Sequence, residues 1–130
     1  MLDHIAVAVP DIEAALERLA PFLGEVKREE VPDQGVRVAM VDLGNCHLEL
    51  LSPLRDDSPV GKFLAKRGPG LHHMAFRVED LPARLEEMRQ QGYELIDNKP
   101  RRGAGGKDIA FLHPRSTAGV LVELCSHARE

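Results

Sequence analysis

The 130 residues carry 17 Lys and Arg against 21 Asp and Glu, a formal net charge of -4, with 4% aromatic residues and no Trp. That balance argues against a nucleic acid or an anionic membrane surface held by bulk electrostatics, and against base stacking as a theme. No apolar run is long enough to span a bilayer and no basic region precedes an apolar stretch at the N-terminus, so neither nucleic acid nor membrane is an expected partner and the cytoplasm is the expected compartment.

The chain length suits one domain, or two small half-domains sharing a core. The first residues, His4-Ile5-Ala6-Val7-Ala8-Val9, read as a strand, and Asp11 caps a helix whose Ile12, Ala15, Leu16 and Leu19 recur at helical spacing until Pro21 and Gly24. Extended segments over 25–31 and 36–43 flank Pro32-Asp33-Gln34-Gly35, and Gly44-Asn45 turns the chain into a strand at 46–51. One helix among four strands, βαβββ, therefore fills residues 1–52. Residues 53–70 connect, with Ser58-Pro59 opening a short helix that Gly68-Pro69-Gly70 ends. The pattern then restarts over 71–130: a strand at 71–78, a helix from Leu81 to Gln91, a short extended piece at 93–97, a basic glycine-rich loop from Lys99 to Lys107, and strands at 108–112 and 119–124.

The restart is the informative feature. His4-Ile5-Ala6-Val7-Ala8-Val9 followed by Asp11-Ile12 returns as His73-Met74-Ala75-Phe76-Arg77-Val78 followed by Asp80-Leu81. Strand alternation puts His4 on one face with Ala6 and Ala8, and His73 with Ala75 and Arg77. The last strand of each half carries a glutamate between apolar neighbours, Glu49 in Leu48-Glu49-Leu50 and Glu123 in Val122-Glu123-Leu124. A glutamate in an apolar strand is costly to bury as an anion unless a cation compensates it. Two such glutamates and two such histidines, related by the duplication, predict a 2-His-2-carboxylate site for one divalent metal: His4, Glu49, His73 and Glu123. The mixed N and O ligands leave Zn, Co, Ni, Mn, Fe and Mg open. Cys46 and Cys125 fall in apolar strand-like segments outside any CxxC pair and are expected to be structural thiols. Lys107, Arg115 and Ser116, in and after the glycine-rich loop, are the expected contacts for an anionic ligand.

LDHIAVAVPD at the start, ELLSPL at 49–54, DSPVGKFL at 57–64, GLHHMAFRVED at 70–80 and HPRSTAGVLVEL at 113–124 together resemble the methylmalonyl-CoA epimerases of the vicinal oxygen chelate superfamily. The resemblance implies an α+β fold of tandem βαβββ modules forming an open, cupped, barrel-like mixed sheet with helices outside. It also implies a homodimer, a divalent metal with cobalt favoured, and a CoA-thioester substrate. The implied reaction is R/S interconversion of methylmalonyl-CoA by α-proton abstraction through a metal-stabilised enolate, and by position the family's ligands fall on the same four residues. Glu49 and Glu123 are then the expected acid/base groups; some relatives carry a further glutamate where this chain has Val38. Alternatives on the same frame are a glyoxalase I-like enzyme acting on a glutathione hemithioacetal, and a non-catalytic small-molecule-binding protein.

Overall fold

The computed structural model describes residues 1–127. It is an α+β protein whose contacts divide into two units, one running from His4 to His72 and one combining Met1–Asp3 with the chain from His73 onward.

In the first unit, Asp11 starts helix α1 (Ile12–Leu19) because its Oδ1 accepts the N–H groups of Glu13 and Ala14 at 2.9 and 3.2 Å. Those donors have no partner within the first helical turn. The helix presses Ile12 and Leu16 onto Val9, Ala39 and Leu50. Its sheet is made of β1 (Leu2–Ala8), β2 (Val26–Val31), β3 (Val36–Asp42) and β4 (His47–Pro53) in the order β2-β3-β4-β1. The β2–β3 and β3–β4 pairs are antiparallel, and β1 runs parallel to β4. The β2–β3 turn closes at Gly35, whose φ of +64° is left-handed, and a Cβ there would lie 2.8 Å from side-chain atoms of Arg55 and Ser58. Helix α2 (Pro59–Arg67) follows, with the Ser58 hydroxyl accepting the Gly61 N–H at 3.2 Å.

The second unit repeats the plan with β5 (Gly70–Arg77), α3 (Leu81–Gln90), β6 (Arg101–Arg102), β7 (Asp108–Leu112) and β8 (Val122–Ser126). The order is β6-β7-β8-β5, again with first and last strands parallel. Asp80 caps α3 through the Ala83 N–H at 3.1 Å, and Leu81, Leu85 and Met88 pack on Ala110, Leu112 and Leu124. So each unit keeps its helix on one sheet face, and the histidine-bearing face of its first strand is the other.

Two expected boundaries move. Residues 93–97 make a single bridge, Leu95 with Leu112, because Tyr93 and Leu95 turn into the α3 core while the N–H groups of Ile96 and Asp97 converge on one carbonyl, that of Phe111. The edge strand of this unit is instead Arg101–Arg102, inside the segment read as loop. The last strand begins at Val122 rather than at residue 119, because Ala118 and Gly119 are left-handed, at φ +60° and +84°, and finish a turn. Among the described residues no helix is long and apolar enough to cross a membrane.

Candidate functional site

In β1, Val7 and the following Val9 face α1, which leaves His4, Ala6 and Ala8 on the opposite face. Glu49 is in register with Ala6 across the β1–β4 pair and with Met40 across the β3–β4 pair, so it shares the face of His4. Val38 lies opposite Leu51 on that same face. The two alanines leave space beside the imidazole. His4 is 1% exposed and Glu49 4%, and His4 Nδ1 lies 3.4 Å from Glu49 Oε2.

The second unit builds the same pair from the same register. Glu123 stands opposite Ala75 on β5 and Phe111 on β7. His73 Nε2 lies 3.3 Å from Glu123 Oε1, and both side chains are buried. The Phe111 ring meets His73 at right angles with centroids 5.2 Å apart, which limits how the imidazole can turn. The other oxygen, Glu123 Oε2, is buried and accepts no hydrogen bond from the described residues.

Taking a carboxylate out of water costs several kcal/mol unless positive charge or strong donors compensate it. The donor set of each unit, one imidazole and one carboxylate, suits a borderline or hard divalent ion. The separations agree with that use. N···O distances of 3.4 and 3.3 Å are longer than the ordinary hydrogen-bond optimum of about 2.9 Å. They match two neighbouring ligands that each sit about 2.1 Å from a common cation. These residues therefore fit a metal ion.

Beside the second pair lies a buried charge cluster that connects the two ends of the chain. Lys107 Nζ is 3.2 Å from Asp3 Oδ2, and His127 Nε2 is 2.7 Å from Asp3 Oδ1. Burial, then the negative charges of Asp3 and Glu123, push the Cys125 thiol up to about 12. It stays protonated at neutral pH and donates to the Phe76 carbonyl at 3.7 Å. Asp3, Cys125 and His127 bring ligand atoms within 4.8 Å of one another, but Lys107 already supplies a cation there.

The residues expected to contact an anionic ligand occupy different settings. Lys107 is 7% exposed and bound to Asp3. Arg115 is exposed with its Nη1 3.6 Å from Glu94, and the Ser116 hydroxyl accepts the Glu94 N–H at 2.8 Å. His72 packs edge-on against Phe63 of α2, and His113 accepts the Arg115 N–H to cap a turn. Composition and spacing carried no signal for Phe111 as a wall of the site. Nor did they separate Arg101 from its neighbours; only the β6–β7 pairing does.

A family model described as the Glyoxalase/Bleomycin resistance protein/Dioxygenase superfamily matches residues 3–111. The chain is 48% identical to a Bacillus subtilis protein described as uncharacterized protein YqjC, over 95% of this chain and 90% of the relative. It is 42% identical to the ethylmalonyl-CoA/methylmalonyl-CoA epimerase of Cereibacter sphaeroides, over 95% of each chain. A variant of Streptomyces coelicolor methylmalonyl-CoA epimerase, solved in complex with 2-nitronate-propionyl-CoA, superimposes with a TM-score of 0.92 at 40% identity, covering 98% of this chain and 94% of that one.

Proposed function

Because the chain belongs to the Glyoxalase/Bleomycin resistance protein/Dioxygenase superfamily and, within it, to the methylmalonyl-CoA epimerase family, we propose that it interconverts the epimers of methylmalonyl-CoA with His4, Glu49, His73 and Glu123 as ligands of one divalent cation. The observation that carries this reading is the recurrence of one buried His–Glu pair, at 3.4 and 3.3 Å, at the same place in two units of identical strand order. The α-proton of this substrate lies between a thioester and a carboxylate, and its removal builds negative charge on the thioester oxygen. When bound, the cation supplies positive charge to that oxygen.

Epimerisation also needs a proton taken from one face of the carbon and returned on the other. Glu49 and Glu123 are the proposed groups, one from each unit. Val38 is hydrocarbon, so the position where some relatives place a further glutamate contributes no proton here. Cobalt is the ion the family resemblance favours; zinc, nickel, manganese and magnesium suit the same N and O donors. A CoA thioester is the proposed partner molecule and a homodimer the proposed assembly, which light scattering reports directly.

The test couples elemental analysis of the purified protein to solvent exchange at the α-carbon. The expected result is about one equivalent of divalent metal per chain and deuterium incorporated into methylmalonyl-CoA from heavy water. Protein that holds no metal and leaves the α-proton untouched sinks the reading.

A further inference from the structure

The second unit places a positioned guanidinium on the same sheet face as its His–Glu pair. Arg101 is in register with Ile109 of β7, and Ile109, Phe111 and Cys125 form the small core on the face that carries Glu123. The Arg101 guanidinium lies over the Phe111 ring at 5.6 Å, and the same ring contacts His73. Asp97 fixes it from the side: Asp97 Oδ1 is 3.3 Å from Arg101 Nε, while Oδ2 accepts the Phe111 N–H at 2.8 Å. One carboxylate thus ties the arginine to the strand whose ring it covers. Gly103 allows the loop to close over β7, since a Cβ there would sit 2.8 Å from Ile109.

The neighbouring cations are set differently. Lys107 is buried on Asp3, while Arg102 and Arg115 each face one acid, Asp108 and Glu94, with side chains 71% and 74% exposed. Arg101 meets Asp97 through Nε, and its side chain remains 44% exposed. The guanidinium is thus held in place yet partly exposed, one aromatic ring away from His73. A guanidinium in a fixed orientation binds oxyanions well because little rotamer freedom is lost on contact.

We propose that Arg101 is the oxyanion-binding residue of this site, taking a charged group of the CoA thioester whose acyl end lies at the His–Glu ligands. The proposal rests on the substrate class given under Proposed function. Two parts of such a ligand carry oxyanions, the phosphates of the CoA arm and the acyl carboxylate, and three probes separate them: methylmalonyl-CoA, methylmalonyl-pantetheine without phosphates, and propionyl-CoA without the carboxylate.

Calorimetric titration of the full chain with each probe, alongside KM and kcat for methylmalonyl-CoA, tests it. Arg101→Met keeps an apolar side chain on Phe111 and removes the charge. It is expected to weaken methylmalonyl-CoA binding and raise KM by about tenfold or more, with a smaller change in kcat, and Arg101→Lys is expected to recover part of the loss. A loss confined to the two CoA compounds assigns the phosphates, and one confined to the two methylmalonyl compounds assigns the carboxylate. Equal weakening of all three probes, or wild-type affinity for all three in Arg101→Met, overturns the proposal alone. Wild-type protein that binds none of them overturns both this inference and the substrate class.

Discussion

In the first unit His4 and Glu49 are framed by hydrocarbon of modest size, Ala6, Ala8, Val38 and Met40, whereas in the second His73 and Glu123 are framed by Phe111, Ala75 and Cys125 with the Asp3–Lys107 pair close by. The first unit closes its outer edge with a six-residue strand, β2. The second reduces the same strand to Arg101–Arg102 and gives the released chain to a glycine-rich loop. The comparison separates what a buried His–Glu pair requires from what varies around it. A histidine on the first strand and a glutamate on the parallel last strand fall on one face in both units, because register alone sets that. Wall chemistry is then independent: the second unit brings Arg101 and the Asp3–Lys107 pair to it, whereas the first carries Lys27 and Glu29 on that face from its edge strand β2.

The sharpest way to break this comparison is to ask whether the two glutamates do equivalent work. Glu49→Gln and Glu123→Gln each keep a carbonyl oxygen but lose basicity. Each is expected to lower α-proton exchange by about 10²- to 10⁴-fold, read by deuterium incorporation starting from either epimer, with metal content measured on the same samples. A variant that retains both its metal and its full exchange rate removes that unit from proton transfer and makes the chemistry one-sided.

The next effect belongs to the second unit. Lys107→Met leaves Asp3 buried with its main positive partner gone, and removing one member of a buried pair costs about 3 kcal/mol or more. The urea midpoint should fall accordingly, while Lys107→Arg, which keeps the charge, should fall less. Equal midpoints for Lys107→Met and the wild type would show that the cluster is solvated rather than buried.

The two His–Glu pairs were legible in the sequence because they depend on two strong local signals, period-two alternation and an internal echo. Helix starts at Asp11, Ser58 and Asp80 were legible for a similar reason: a capping side chain acts within three residues of its own position. Lys107 and Arg101 were not. Both sit in the same basic, glycine-rich run, and nothing local distinguishes the one that is buried on Asp3 from the one held over Phe111. That difference arises from partners 104 residues away in one case and from a two-residue strand in the other. Residues 93–97 misled for the opposite reason: their alternation is real, but its apolar side serves the α3 core rather than a ladder.

The smallest expected effect sharpens the comparison between the two helices. In α3 the acids pair within the helix, Arg84 with Glu87 and Arg89 with Glu86, and Arg89 also donates to Asn98 at 3.5 Å. In α1, Glu13 reaches across to β2, accepting from Arg28 Nε and Nη2 at 2.9 and 2.7 Å. The hydrogen bond from Arg28, aided by its charge and opposed by slight desolvation, holds the Glu13 carboxyl below its usual value. A carboxylate whose folded pKa is depressed contributes stability above its unfolded pKa and loses it as pH falls through the folded one. Glu13→Gln should therefore unfold at slightly lower urea than the wild type at neutral pH, and the gap should close in acid and shrink with added salt, as expected of an exposed pair. A gap that survives in acid would assign the α1–β2 contact to packing of the side-chain stems instead of charge.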